Sequence, residues 1–295
     1  MNTITLQDIP SLRAAVEWAE EKQVALGHFN VSDSTQVHAI VEAAMELNVP
    51  IILGTSGGER NFIGVKTIAA IVKSLRAEHN YPIFLNADHT YSYEGVVEAI
   101  DAGYDSVIYD STKDGHENNL VNTKKCVEYA RNCGREVLVE AEMGNIGASS
   151  SMWDEAPAAV DDDVLTDPTM LKRFVEETGV DLIAPAVGNL HGMSKDGRNP
   201  ELNIERIKEL REAGGVPMVL HGGSGISDED FKEAIKAGMS TVHINTEIRL
   251  AYHAGIRDFT AENPDAIAPY KFEAQGKEQM KQVVIKRLRL FNRMD

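Results

Sequence analysis

PIFLNADHTYSYEGVVEAIDAGYDSVIY, residues 82–109, holds one full period of the chain's organisation. It opens on an apolar run (82–86), passes the polar pair Asp88-His89, and continues as an amphipathic segment (93–102). The turn Ala102-Gly-Tyr-Asp follows, and a second apolar run (106–109) ends it. Short Val/Ile/Leu-rich runs without clean alternation read as strands buried on both faces. The segment between them reads as a helix, and a glycine just past a helix ends it in the left-handed conformation. Strand, helix, strand predicts a parallel pair joined by a right-handed crossover.

The same unit recurs along the chain. Strand-like runs fall at 24–31, 50–54, 82–86, 106–109, 136–140, 181–187, 217–220 and 241–244. Helical patterns follow at 36–47, 65–75, 93–102, 119–133, 168–178, 204–213, 228–237 and 247–259; in the first, Val37, Ile40, Val41 and Ala44 share one stripe. Eight β/α units at roughly 30 residues each predict an α/β fold, a closed TIM (β/α)8 barrel. An additional amphipathic helix is expected at 277–291, and residues 1–295 are read as a single domain. The alternative, an open doubly wound sheet, usually carries a glycine-rich dinucleotide turn after its first strand. His28-Phe-Asn-Val-Ser-Asp stands there instead. The stretch 147–166 (GASSSMWDEAPAAVDDDVLT) breaks the rhythm after the fifth strand and is expected to be a mobile active-site loop.

The 295 residues carry 29 Lys and Arg against 46 Asp and Glu, a net charge of −17. Such an excess repels polyanions, so nucleic-acid and anionic-membrane partners are not expected. A small phosphorylated substrate remains compatible, because it needs only a few local donors. Cys126 and Cys133, about 10 Å apart along one helix, are expected to be free thiols. No stretch reads as a signal peptide or a membrane span, so a cytoplasmic location is expected.

In such a barrel, chemistry gathers at the C-terminal strand ends. Asp88-His89 follows the third predicted strand, Glu142 the fifth, His191 the sixth and His221 the seventh, while His243 and Asn245 mark the eighth. Four of the nine histidines thus share one rim. Three neutral imidazoles with an open position suit catalytic zinc, which singles out His89, His191 and His221; read one by one, each is equally a hydrogen-bonded polar residue near a loop. Asp88 can shuttle a proton or orient His89. Glu142 is a further metal ligand or part of a hydrogen-bond network. The remaining histidines, His28, His38, His79, His116 and His253, show no matching partner. Gly222-Gly-Ser-Gly225, Asn245-Thr246 and Lys195 sit in the loops that commonly hold phosphate in this fold, although a glycine run is also simply a tight turn.

These motifs resemble the class II, metal-dependent ketose-bisphosphate aldolases over essentially the whole chain. The carrying segments are 27–33, 87–110, 139–147, 165–193 and 221–238. The resemblance implies one zinc ion on His89, His191 and His221, with Glu142 as an alternative ligand and Asp88 as the proton-transferring carboxylate. It implies phosphate binding by Gly192, Lys195, Gly222, Ser224 and Thr246, a contact from Ser56 to the same substrate half, a monovalent cation (Na+ or K+) nearby, and substrate contacts from His243 and Asn245. The implied reaction is reversible retro-aldol cleavage of a ketose 1,6-bisphosphate, foremost fructose 1,6-bisphosphate, to dihydroxyacetone phosphate and an aldehyde such as glyceraldehyde 3-phosphate. A tagatose 1,6-bisphosphate type or another phosphorylated or sulfonated ketose is the alternative, and a non-catalytic sugar-phosphate-binding paralogue a further one. A homodimer or homotetramer is implied.

Three positions depart from the family pattern. His243 stands where an asparagine is usual, Ala148-Ser-Ser-Ser where glycines and a proton-transferring glutamate are usual, and Asn263-Pro-Asp-Ala-Ile where an arginine-bearing segment is usual. Asp154 and Glu155 are the nearest replacement carboxylates. If His243 merely substitutes for the asparagine, His243→Asn preserves or raises fructose 1,6-bisphosphate cleavage. A metal-dependent hydrolase on the same barrel would carry a His-x-His pair after the first strand, which His28-Phe-Asn lacks.

Overall fold

The computed structural model describes residues 6, 9–147, 152–154 and 164–294. Eight parallel strands close a barrel: β1 (Leu26–Asn30), β2 (Ile51–Thr55), β3 (Ile83–Thr90), β4 (Ser106–Tyr109), β5 (Leu138–Met143), β7 (Leu182–Pro185), β9 (Met218–Leu220) and β10 (Met239–Ile244). They neighbour one another in chain order, and β10 pairs with β1 to complete the ring. All eight coincide with the expected strands. The outer helices are α2 (Ser34–Leu47), α4 (Val65–His79), α5 (Tyr93–Ala102), α6 (His116–Asn132), α7 (Pro168–Thr178), α8 (Ile204–Gly214), α9 (Asp228–Ala237) and α10 (Thr246–Glu262). Asp33, Ser92, Asp167, Asn203 and Ser227 cap α2, α5, α7, α8 and α9 by accepting a first-turn backbone N–H. Gly103 and Gly179 end α5 and α7 in the left-handed conformation, as their positions after the periodic runs predict.

Four features lie beyond the sequence reading. Helix α1 (Leu12–Lys22) packs Leu12, Ala15, Val16 and Ala19 against Leu26, Ile52, Phe84, Leu138, Leu182 and Val219, and so seals the N-terminal end of the barrel. Helix α3 (Gly57–Ile63) fills the loop after β2. A two-stranded parallel sheet joins β6 (Met152–Trp153) to β8 (Met193–Ser194). The last helix, α11 (Pro269–Phe291), begins eight residues earlier than expected because Pro269 starts it at a position where a missing N–H costs nothing. Its Met280, Val284, Leu288 and Phe291 are buried in the core that lines the outside of the barrel. Most of the expected active-site loop at 147–166 lies outside the described residues. Both cysteines are free, and burial pushes the Cys126 thiol up to about 12.

Candidate metal centre and substrate cleft

In strand β3 the pairing register shifts between Ala87 and Thr90, and His89 adopts φ +34°. Neighbouring side chains of a regular strand point to opposite faces. The bulge re-aims this pair, so Asp88 and His89 both reach the barrel mouth from within β3, which runs to Thr90 rather than ending at residue 86 as expected. Arg60, buried and unforeseen from sequence, braces the bulge: its guanidinium donates to the Asp88 carbonyl (2.9 Å), the Thr90 hydroxyl (2.9 Å) and the Thr55 carbonyl.

Three imidazoles meet there. His89 Nε2 and His191 Nε2 lie 3.2 Å apart, close to the separation of about 3.3 Å for two nitrogens on one tetrahedral ion with bonds of about 2.0 Å. His89, His191, His221 and Glu142 each bring one donor atom within 4.8 Å of the others. The remaining nitrogens are engaged by groups that can only accept. His89 Nδ1–H donates to Asp110 Oδ2 (3.2 Å), His191 Nδ1–H to the Gly147 carbonyl (2.7 Å), and His221 Nε2–H to Glu140 Oε1 (2.7 Å). For His89 and His191 these bonds turn Nε2 toward the common centre, the arrangement that orients metal-bound histidines, whereas His221 faces a carboxylate at each nitrogen and loses its Nδ1 proton when a metal takes that position. Asp110 is itself oriented by the Thr112 N–H and hydroxyl. Glu142 Oε2 lies 3.2 Å from His221 Nδ1. The residues therefore fit a zinc ion.

Asp88 Oδ2 accepts from Asn30 Nδ2 (2.8 Å), while its buried Oδ1 has no hydrogen-bond partner. Burial opposes its charge, but the neighbouring His89, His28 and His221 rings and the Asn30 amide hold the carboxyl well below the usual carboxylate range. Burial also works against a charged His221, yet Glu140 and Glu142 push it up to about 10; burial lowers His191 to about 4.

Around these groups lie two cradles. Gly192, Gly222, Ser224, Asn245 and Thr246 line one cavity together with Asp88, His89, His191 and His243. Gly222 has φ +63°, and a Cβ there would stand 2.3 Å from the Leu190 carbonyl oxygen, so only glycine lets these loops approach. The first turn of α10 faces this cavity through Thr246, which adds partial positive charge. Ser56, Gly57, Gly58, Tyr91 and Arg249 line the second cleft, again with Asp88 and His89. Lys195 is not brought into the first cavity; its Nζ pairs with Asp154 Oδ1 at 2.6 Å on the surface.

Sequence reasoning left several residues of this mouth unnamed. His28 was read as partnerless, and that is corrected: it is buried, bonds Asn86 and stacks on His243. Asn30, Asp110 and Glu140 sit at strand ends or on the face of Glu142, a placement that the period of two could have flagged. Glu59 and Arg249, joined by an ion pair, had no such signal, because α3 positions Glu59.

Known proteins resemble this chain in sequence and fold. The sequence profile of the family described as "Fructose-bisphosphate aldolase class-II" matches residues 10–295. A fructose-bisphosphate aldolase of Staphylococcus aureus (strain Mu50 / ATCC 700699) is 36% identical over 276 residues, 92% of this chain and 93% of that protein. The crystal structure of the YdjI aldolase from Escherichia coli K12 superposes with a TM-score of 0.80 at 29% identity, covering 95% of this chain and 96% of that one. The Campylobacter jejuni fructose-bisphosphate aldolase shares the fold, with a TM-score of 0.82 at 21% identity over 99% of this chain and 98% of that one. Since the profile runs through every barrel strand and the loops that gather these imidazoles, the chain belongs to the class II fructose-bisphosphate aldolase family.

Proposed function

We propose that the chain catalyses reversible retro-aldol cleavage of a ketose 1,6-bisphosphate, fructose 1,6-bisphosphate foremost, to dihydroxyacetone phosphate and glyceraldehyde 3-phosphate. One observation carries this reading. Three imidazoles and the Glu142 carboxylate converge beside the unpartnered Oδ1 of Asp88, between two cradles suited to anions. His89, His191 and His221 would hold zinc, with Glu142 as the exchangeable fourth donor. Zinc bound there supplies Lewis-acid stabilisation of the negative charge that develops on the ketone half as the C3–C4 bond breaks.

Asp88 is the base. Asn30 holds its Oδ2, and the free Oδ1 takes the C4 hydroxyl proton as the aldehyde forms. Gly192, Gly222, Ser224 and Thr246 hold the proximal phosphate through backbone N–H groups and hydroxyls, and Lys195 joins them by exchanging Asp154 for the phosphate. A monovalent cation, Na+ or K+, sits nearby. His243 and Asn245 contact the substrate's hydroxyls. Ser56, the N-cap of α3, is expected on the half of the proximal phosphate but lines the second cleft with Arg249, and both are assigned here to the distal phosphate. The whole chain acts as one barrel domain, in the cytoplasm, as a homodimer or homotetramer. A tagatose 1,6-bisphosphate or another phosphorylated or sulfonated ketose is the second reading, favoured by His243, which stands 3.7 Å from Asp88 where the C4 proton is taken.

The test is cleavage of fructose 1,6-bisphosphate, tagatose 1,6-bisphosphate and ketose monophosphates, with chelator and after zinc is restored. Zinc-restored cleavage of one sugar is expected and names it. One zinc bound per chain with no cleavage of any member would overturn the reading.

A further inference from the structure

Three imidazoles form a column at the barrel mouth. His28 and His243 are register partners on adjacent strands β1 and β10, so their side chains leave the sheet side by side. Their rings stack at 3.5 Å between centroids and 5° between planes. His243 stacks in turn on His221 at 4.3 Å and 24°. The far face of His28 lies against Gly54, where a Cβ would come within 2.1 Å of the His28 ring. The bare backbone of β2 is thus the floor of a slot one ring wide.

The His28 ring is also fixed in its plane. Asn86 Nδ2 donates to Ser106 Oγ (2.7 Å), which turns Asn86 Oδ1 toward His28 Nε2 at 3.1 Å. A carbonyl oxygen only accepts, so Nε2 carries the proton and Nδ1 is left bare, buried and without a partner. Burial keeps His28 neutral, lowering it to about 4. His28, Asp88 and His243 also bring donor atoms within 4.8 Å of one another. However, parallel rings 3.5 Å apart direct their lone pairs into two separate planes, so no single ion lies in both. The arrangement is a support rather than a second metal site.

We propose that His28 is a positioning residue: gripped between Gly54 and His243, it holds the His243 ring in register between Asp88 and the metal ligand His221 without touching the substrate. It acts in two directions. Toward Asp88, it keeps His243 Nδ1 3.7 Å from the free Oδ1. Toward His221, it backs the ligand's face and resists its rotation away from the ion. The proposal rests on the aldolase reading only for its effect on turnover; the effect on metal retention is independent of substrate.

The experiment compares zinc-loaded His28→Phe with His28→Leu. Both lose the Asn86 hydrogen bond, and only phenylalanine keeps a flat ring. The readouts are the rate of zinc release to a chelator and kcat and KM on the sugar cleaved. His28→Leu is expected to release zinc about 10-fold faster and to lose about 10-fold in kcat with KM nearly unchanged, while His28→Phe stays within about 3-fold of the parent on all three. Should His28→Leu fold poorly, His28→Gln takes its place, because it keeps a hydrogen bond to Asn86 and lacks the ring. Equal behaviour of the ring-bearing and ringless variants, whether both normal or both impaired, overturns the proposal. Should the parent cleave no ketose while zinc release separates the variants as stated, the aldolase reading fails and the column stands.

Discussion

The two ends of the barrel interior are built from the same strands and share almost no chemistry. At the N-terminal end, Leu26, Phe84, Leu138 and Val219 point inward and meet α1 in an apolar cluster. Two residues further along the same strands stand His28, Asn86, Glu140 and His221, and two further again Asn30, Asp88 and Glu142. All of these polar groups are buried. The difference shows how a barrel divides its work: the lower layer is held by contact area, whereas the upper layer is held by paired donors and acceptors that the ion and substrate complete.

The largest expected effect tests the upper layer directly. His89→Ala or His221→Ala should abolish stoichiometric zinc binding and reduce ketose cleavage on the order of 10³-fold, since Lewis-acid stabilisation is worth several kcal/mol. Metal analysis of the purified variants beside their turnover checks this. Full zinc content with full activity in either variant would remove the metal centre from this mouth.

Strand β5 allows the two ends to be broken separately, because Leu138 and Glu140 are two residues apart on one inward face. Leu138→Ala should cost about 2–5 kcal/mol of stability, read as a denaturation midpoint, and leave kcat per folded molecule unchanged. Glu140→Gln should do the reverse. It weakens the acceptor that fixes His221, so zinc affinity falls about 10–100-fold while the metal-free protein denatures near the parent midpoint. If Leu138→Ala lost zinc, or Glu140→Gln lost mainly stability, the division between the ends would not hold.

Legibility in the sequence follows the same division. The strands and most outer helices were readable because each is a periodic run bounded by a cap or a glycine, as at Asp167 and Gly179 around α7. Helix α1 was missed: its six small or apolar residues, Leu12, Ala14, Ala15, Val16, Trp18 and Ala19, precede the first strand and belong to no β/α unit, and they gain meaning when the barrel floor is present to cover them. At the mouth, Asp88, His89, His191 and His221 were readable as reactive types at strand ends. Arg60 and Glu59 were not, because the short helix that presents them carries no strand-end signal. His28 was not readable either. Its partner His243 lies at the other end of the chain, and only closure of β10 onto β1 makes them neighbours.

That closure bears on the condition in one expectation. Read from sequence alone, His243→Asn preserves or raises fructose 1,6-bisphosphate cleavage if the histidine merely substitutes for the asparagine. In the column, the same change removes the middle ring from between His28 and His221. The expected result is therefore a loss of about 10-fold in zinc retention, matching the loss in His28→Leu. The smallest effect gives the sharpest test, a double-mutant cycle on zinc release with His28→Leu, His243→Asn and both together. If the rings act as one stack, the second substitution has little left to remove. The double variant then resembles either single one, with a coupling of about 1.4 kcal/mol, the equivalent of one tenfold loss. Additive losses would mean that His28 and His243 act on the metal centre separately. A histidine at 243 would then be an ordinary replacement for asparagine, placed beside His28 by the sheet register alone.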